Sequence, residues 1–203
     1  MKHIKIGAIA ILAMTMVNCK EVKKNAADSS TEGLDKSVDQ MEASAREMKE
    51  DIMGESLTVL MTAKNNSKMK GEITFTQNDD EVVMKAEFTG LEEGSHAIHL
   101  HENADCSSND GKSAGGHWNP VDERHGKWGD EKGYHKGDIG NFEADANGNA
   151  MVDFSTDQWC IGCDDDTKNI IGRSVIVHQG SDDFTSQPSG DAGSRVGCAS
   201  ITK

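Results

Sequence analysis

Short runs in which apolar and polar residues alternate recur along the chain after residue 55. In the segment Glu81 to Phe88, EVVMKAEF, every second residue from Val82 onward is apolar. Such a period of two places apolar side chains on one face of a β-strand. Seven other runs alternate or are rich in β-branched residues. The eight predicted strands are Leu57 to Ala63, Gly71 to Gln77, Glu81 to Phe88, Ala97 to Glu102, Ile139 to Ala144, Ala150 to Phe154, Ser174 to His178 and Arg195 to Ile201.

Polar segments with turn residues separate these runs. They include KNNSK, NDD and DANGN, and the last contains Asn147-Gly148, a strong signal for a tight turn. Twenty-one glycines, two prolines and 4% aromatic residues also suit a turn-rich β protein better than a helical bundle. We therefore predict an all-β fold, an eight-stranded antiparallel Greek-key barrel or sandwich of the immunoglobulin-like kind with long loops.

The first 18 residues have the pattern of a signal peptide. Lys2 and Lys5 precede an apolar run, IGAIAILAMTMV, which is too short to span a bilayer comfortably. Cys19 follows directly, and a cysteine at the end of an apolar core resembles the bacterial lipoprotein signal, in which that cysteine is lipidated. The sequence differs from that signal at Asn18, because the residue before the cysteine is usually small. A soluble secreted protein and an uncleaved anchor are the alternatives.

Residues 19–54 are polar and contain one weakly helical stretch, DKSVDQMEASAREMKEDIM. This segment cannot bury a core by itself, so we interpret it as a solvated spacer. The chain would then consist of a signal peptide (1–18), a spacer (19–54) and one globular domain (55–203).

The formal net charge is −14, and −16 without residues 1–18, which contain two lysines and no acid. We do not expect nucleic acid as a partner, because polyanions are bound by basic patches and this chain is strongly acidic. The strand edges carry no interface signature, so the sequence is compatible with a monomer or a homodimer.

Four of the eight histidines lie between His96 and His117. Residues two apart in a strand share a face, so His99 and His101 project together, opposite Ile98 and Leu100. Paired imidazoles form half of a metal site, and neutral imidazole suits copper, zinc, iron and nickel, of which copper binds most tightly. His96 shares the apolar face, which favours a structural role.

A long segment from Asn103 to Gly137 has no strand period and is rich in Gly, Asp, Lys and His. Loops of this length in a compact domain usually carry function. Three histidines and one aspartate form the closed set that zinc prefers, here His117, His125, His135 and Asp138. His99, His101 and His178 remain, and sharing His117 would supply copper with a fourth nitrogen.

Five segments taken together resemble copper-zinc superoxide dismutases, especially the secreted bacterial branch. They are HAIHLHENADCS, GGHWNP, HKGDIGNFEADANGNA, IIGRSVIVH and DAGSRVGC. The resemblance covers about residues 57–203 and keeps the order of the motifs. It implies an enzyme that converts superoxide to dioxygen and hydrogen peroxide by alternate reduction and reoxidation of copper.

The resemblance also implies roles for individual residues. Copper would be bound by His99, His101, His117 and His178, and zinc by His117, His125, His135 and Asp138. His117 would bridge the metals and supply a proton. Arg195 would hold the anion, and Asp182 would hydrogen-bond ligands of both metals; considered alone, these two are a surface charge and a solvated loop acid. Cys106 and Cys198 would form the family disulfide, and the long loops would be the metal-binding and electrostatic loops.

Cys160 and Cys163, in WCIGC, have no counterpart in the family pattern. Because Asp164, Asp165 and Asp166 follow immediately and raise the thiol pKa, redox catalysis is disfavoured. A local disulfide is the favoured interpretation, and an accessory metal site or free thiols are the alternatives.

The sequence therefore predicts a lipid-anchored, extracytoplasmic enzyme in the periplasm or cell envelope. The alternative is a non-catalytic lipoprotein that binds or delivers copper on the same fold. Such a protein is expected to lose a copper ligand or the arginine, and this chain has all of them.

Overall fold

A computed structural model of the chain describes residues 54–203. Eight β-strands and one short 3-10 helix form in that range. The strands are β1 (Ser56–Ala63), β2 (Lys70–Asn78), β3 (Glu81–Thr89), β4 (Gly94–His101), β5 (Gly140–Ala144), β6 (Ala150–Thr156), β7 (Ser174–His178) and β8 (Arg195–Ser200), and the helix is Lys112–Ala114. The predicted signal peptide and, except for Gly54, the predicted spacer lie outside the described residues. Among residues 54–203, no helix has the length and apolar character needed to cross a bilayer.

The eight strands form one antiparallel sheet in the order β5-β4-β7-β8-β1-β2-β3-β6. Strands β4 and β7 are neighbours, as are β3 and β6, so their connections cross over in the Greek-key manner. The strands at the two ends, β5 and β6, are joined by a tight turn in which Asp145 and Asn149 are hydrogen-bonded. The turn brings the ends together and nearly closes the barrel, which confirms the predicted fold.

Strand β3 shows how the sequence pattern builds the barrel. Its buried residues alternate with residues that face solvent or are half-buried, and the buried ones are Val82, Met84, Ala86 and Phe88. Their apolar side chains enter the hydrophobic core. The alternation read from the sequence therefore corresponds to an inner and an outer face of the barrel.

Strands β4 and β7 differ, because both of their faces are buried. Ile98 and Leu100 of β4 face the core, whereas His99 and His101 project outward. The connections at residues 102–139 and 179–194 cover this outer face. Strand β4 also begins at Gly94 and not at the predicted Ala97, since Gly94 and Ser95 pair with β5 despite lacking a strand pattern.

Two disulfides connect the described cysteines. Cys106 is bonded to Cys198, which joins the long loop after β4 to strand β8. Cys198 is fully buried against Ile176 and Ala114. Cys160 is bonded to Cys163 within the connection between β6 and β7.

Candidate metal centre

Two groups of potential metal ligands converge outside the barrel, on the outer face of β4. Within each group, one ligand atom of every residue lies within 4.8 Å of the others, and all the residues are buried. We call His99, His101, His117 and His178 the first cluster. We call His117, His125, His135 and Asp138 the second cluster. His117 belongs to both, so the clusters adjoin.

Backbone pairing explains how the first cluster assembles. His99 and His101 share the outer face of β4, and His178 is the last residue of β7, the neighbour of β4. The long loop then returns beside β4, where His117 forms an antiparallel bridge with His101. Backbone hydrogen bonds on both sides of this bridge hold the loop in register.

The first cluster contains four buried nitrogens that lack hydrogen-bond partners among the described residues. They are Nδ1 of His99 and Nε2 of His101, His117 and His178. Buried polar atoms without partners are uncommon in folded proteins. The other nitrogen of each ring does have a partner, which fixes the ring orientation as in metal-bound histidines. The residues therefore fit an ion that prefers nitrogen ligands, such as copper.

The second cluster is built around the carboxylate of Asp138. Its oxygens lie 2.8 Å from Nδ1 of His117, 3.0 Å from Nδ1 of His125 and 3.2 Å from Nδ1 of His135. The Nδ1 atoms of His125 and His135 nevertheless have no properly aligned hydrogen bond among residues 54–203. Three nitrogens and one carboxylate converging on one point fit zinc in a closed site.

Hydrogen bonds keep Asp138 ionised in its buried position. The backbone N–H groups of His135 and Gly126 donate to Oδ2 over 2.8 Å and 3.1 Å. Burial acts to raise the pKa of Asp138, but the hydrogen bond with His117 and the close approach of His125 and His135 outweigh it and hold this pKa well below its usual range. A charged carboxylate is the form that binds a cation.

Asp182 connects the two clusters. One carboxylate oxygen lies 2.8 Å from Nε2 of His99, and the other lies 2.9 Å from Nε2 of His125. Because Asp182 occupies Nε2 of both rings, it turns their Nδ1 atoms toward the clusters. Gly190 packs so closely that a Cβ there would lie 1.8 Å from this carboxylate, and its φ is +71°. Asp182 is thus a buried linker between the clusters and not a solvated acid.

Burial and charge set the protonation of the rings. Burial, reinforced by the neighbouring imidazoles, lowers the pKa of His178 to about 3. Burial also lowers the pKa of His117 to about 4, although Asp138 opposes this shift. Burial acts in the same direction on His125, but the adjacent carboxylates of Asp138 and Asp182 outweigh it and raise its pKa to about 9. His117 and His178 are therefore neutral at pH 7, as metal binding requires.

Arg195 lies at the mouth of the first cluster. Its guanidinium donates from Nη1 to the carbonyl of Gly111 over 2.7 Å and from Nη2 to that of Gly115 over 2.8 Å. It lines a cleft of about 400 Å³ together with His101, His117 and His178. A larger cleft of about 550 Å³, lined by Trp128 and by residues 78–81 and 155–158, includes none of the clustered residues. The cleft at Arg195 is therefore the relevant approach for a small anion.

His96 belongs to neither cluster. Its Nδ1 lies 2.8 Å from the carbonyl of His178, its Nε2 lies 2.9 Å from that of Glu92, and its ring stacks on Phe142. These contacts fit the structural role expected from its position on the apolar face of β4.

Sequence reasoning missed two residues that support the clusters. The Asn141 side chain exchanges two hydrogen bonds with the backbone of Asp182, over 2.9 Å and 2.8 Å. The side-chain amide of Gln187 accepts a hydrogen bond from the backbone N–H of His125 and donates one to its carbonyl, each over 2.9 Å. An asparagine within a strand is unusual and could have drawn attention to Asn141. Gln187 has no comparable signal.

Comparisons with known proteins agree with this geometry. Residues 69–201 match the model of the family described as copper/zinc superoxide dismutase. An extracellular superoxide dismutase [Cu-Zn] of Drosophila melanogaster is 39% identical over 145 residues, which are 68% of this chain and 77% of the relative. Superoxide dismutase [Cu-Zn] 5 of Dictyostelium discoideum is 37% identical over 139 residues, which are 64% of this chain and 88% of the relative.

A solved structure agrees as well. The crystal structure of the clock protein EA4 has a TM-score of 0.62 and 33% identity, and the match covers 72% of this chain and 94% of that one. Together with the family match, these relatives confirm the predicted activity, superoxide dismutation, and the predicted cofactors, copper and zinc. They do not favour the alternative of a non-catalytic copper carrier. The chain therefore belongs to the copper/zinc superoxide dismutase family.

Proposed function

We propose that the first cluster holds copper and the second cluster holds zinc, with His117 bound to both. The buried ring nitrogens that lack partners among residues 54–203 are the observation that carries this proposal. The nitrogen set suits copper, and the set with a carboxylate suits zinc. Asp182 supports both sites by orienting one ring of each.

Copper, when bound, supplies the one-electron chemistry by which one superoxide is oxidised to dioxygen and another, with two protons, is reduced to hydrogen peroxide. His117 carries one of these protons. Its Nδ1 lies against Asp138, which leaves Nε2 to hold a proton at the base of the cleft whenever that nitrogen is free. The carbonyls that bind Arg195 keep its guanidinium beside this position, where its positive charge attracts the anion.

We further propose that the enzyme is extracytoplasmic and anchored through a lipid on Cys19. The signal-like residues 1–18, the cysteine that follows and the polar spacer support the anchor. The two disulfides support an oxidising compartment. The relative from Drosophila melanogaster is named an extracellular superoxide dismutase. An acyl mass on the N-terminal peptide of the native protein is the expected result, and an unmodified Cys19 in the mature protein would exclude the anchor.

The decisive experiment measures metal content and superoxide scavenging of the purified protein before and after copper removal. We expect scavenging to disappear with copper and to return when copper is added back. Activity that survives copper loss would overturn the copper assignment. Full copper binding without scavenging would support the copper carrier instead.

A further inference from the structure

The connection between β6 and β7 contains the Cys160–Cys163 disulfide, which the proposed metal chemistry does not use. The disulfide is half-buried, and three apolar residues beside it are buried. Trp159 and Ile161, on either side of Cys160, are 1% and 5% exposed, and Ile170 is fully buried. The start of this connection is therefore anchored in the core, although Gly162 and the three residues after Cys163 are exposed.

The two residues before Cys160 contact the segment around His135. Gln158 donates from Nε2 to the hydroxyl of Tyr134 over 2.6 Å. Trp159 donates from Nε1 to the carbonyl of Lys136 over 2.8 Å. Tyr134 and Lys136 are the residues immediately before and after His135, so the two hydrogen bonds bracket this member of the second cluster.

The other side of the disulfide is held by Asn169. Cys160 forms a parallel bridge with Asn169, through backbone bonds of 2.9 Å to Lys168 and 3.0 Å to Ile170. The Asn169 side chain also accepts from Gly162 and donates to the carbonyl of Cys163, each over 3.0 Å. Closing four residues with a disulfide removes conformational freedom from the segment that must make these bonds.

The chemistry around the sulfurs suits a permanent bond. Asp164, Asp165 and Asp166 directly follow Cys163, and their negative charge disfavours the thiolate needed for disulfide exchange. Neither cysteine belongs to a cluster of potential metal ligands among residues 54–203. A structural bond remains as the role that fits both observations.

We propose that the Cys160–Cys163 disulfide positions the zinc ligand His135 through Gln158 and Trp159. The disulfide and Asn169 fix the start of the β6–β7 connection, and this connection holds the Tyr134 hydroxyl on one side of His135 and the Lys136 carbonyl on the other. The inference rests on the zinc assignment made above. Trp159 also packs against Phe154, with ring centroids 5.0 Å apart, so core packing is the competing explanation for its position.

The test measures release of zinc and of copper from the metal-loaded protein into a chelator. The variants are Cys160→Ser with Cys163→Ser, Trp159→Phe, and all three changes combined. Trp159→Phe keeps an aromatic ring but removes the donor to Lys136. We expect zinc release to be about three- to tenfold faster in the disulfide variant and in Trp159→Phe. This effect is smaller than the change of about ten- to a hundredfold that is usual for residues hydrogen-bonded directly to a metal ligand. Copper release should be accelerated less than zinc release, because His135 belongs to the second cluster alone and copper is affected only through the shared His117.

The combined variant distinguishes positioning from general loosening. If the disulfide acts through Trp159, the combined effect is no larger than the stronger of the two, since contacts in series are not additive. Val59→Ala, a core change on β1, provides a control that lowers stability without altering zinc release.

Three results would overturn the inference: zinc release as in the wild type, equal acceleration of copper release, or additive effects of the disulfide and Trp159 changes. A His135→Ala protein that binds zinc as tightly as the wild type would overturn the zinc assignment and this inference with it. The wild-type and His135→Ala measurements thus separate failure of the zinc assignment from failure of the positioning role.

Discussion

Nδ1 of His117 lies 2.8 Å from Oδ1 of Asp138, while the ring centroid of His117 lies 4.0 Å from that of His99. One imidazole thus contacts a carboxylate of the second cluster and a histidine of the first. Its two nitrogens point away from each other across the ring, so the ring can serve both clusters at once. The metal occupancies of the two sites should therefore depend on each other.

His117→Ala should lower both zinc and copper content, because it removes one ligand from each proposed set. His178→Ala is the matched control, since His178 belongs to the first cluster alone and its loss should affect copper first. His125→Ala should affect zinc first. Metal analysis of the purified variants checks all three. Full zinc retention in His117→Ala would mean that the sites are separate.

Asp182→Asn should weaken binding of both metals by about ten- to a hundredfold, the usual effect of losing a hydrogen-bond partner of a ligand. An amide cannot accept from both His99 and His125, so one ring loses its orientation. Asp191→Asn removes the same charge from the same connection, and Asp191 contacts neither histidine. Competition titrations with a chelator measure the affinities. Equal affinities in the two variants would contradict the linking role of Asp182.

Arg195→Ala should lower the rate constant for superoxide about tenfold with unchanged metal content, since a local positive field can change association rates by about ten- to a thousandfold. The chain after residue 18 carries −16 and repels the anion, and the variant keeps this repulsion but loses the local attraction of Arg195. Because salt screens the repulsion, a higher ionic strength should change the rate constant of the variant more toward acceleration than that of the wild type. Lys112→Ala is the control, because its side chain is 79% exposed, pairs with Asp110 and does not line the cleft. A wild-type rate and salt slope in Arg195→Ala would show that Arg195 does not guide superoxide.

Replacing Cys106 and Cys198 by alanine should lower the free energy of unfolding of the metal-free protein by about 2 to 4 kcal/mol. The bond joins residues 92 apart, so its loss frees a long loop in the unfolded chain. The Cys160 and Cys163 double variant should lose less, because those residues are 3 apart. Urea denaturation compares the variants. An equal or larger loss in the Cys160 and Cys163 variant would contradict the loop-length argument.

Acid should destabilise the metal-free protein below about pH 6.5. The folded-state pKa is about 3 for His178 and about 4 for His117, while both are near 6.5 when unfolded. Between these values the unfolded state binds more protons, so the free energy of unfolding falls as pH falls, by up to about 1.4 kcal/mol per pH unit for each group.

The titration of His125 changes the free energy of unfolding in the opposite direction. Its folded-state pKa is raised to about 9, so its stabilisation is complete below about pH 6.5 and is lost as pH rises through about 9. Denaturation at a series of pH values should show maximal stability near pH 6.5. His178→Gln should flatten the acid side and leave the alkaline side unchanged. An unaltered acid side would show that His178 is not responsible.

The sequence by itself determined the elements and the types of ligand, because both are encoded locally. Alternation along β3 defines its inner face, and Asn147-Gly148 defines the turn that joins β5 to β6. The spacing of His99 and His101 places them on one face of β4 whatever the rest of the chain does. The histidines and the aspartate at 117–138, together with His178 at the end of a strand, supplied the remaining candidates, and the resemblance to the family assigned them to two metals.

Only the tertiary structure decided how those side chains are oriented and supported. Asp182 lies 83 residues from His99, yet it determines which nitrogen of that ring is left for a metal. Gln187 hydrogen-bonds His125 although the two lie 62 residues apart in the sequence, and Trp159 hydrogen-bonds Lys136 at a separation of 23 residues. A local pattern cannot encode such contacts, because they arise when crossing connections bring distant loops onto the outer face of β4, where burial removes the water that would otherwise satisfy these groups.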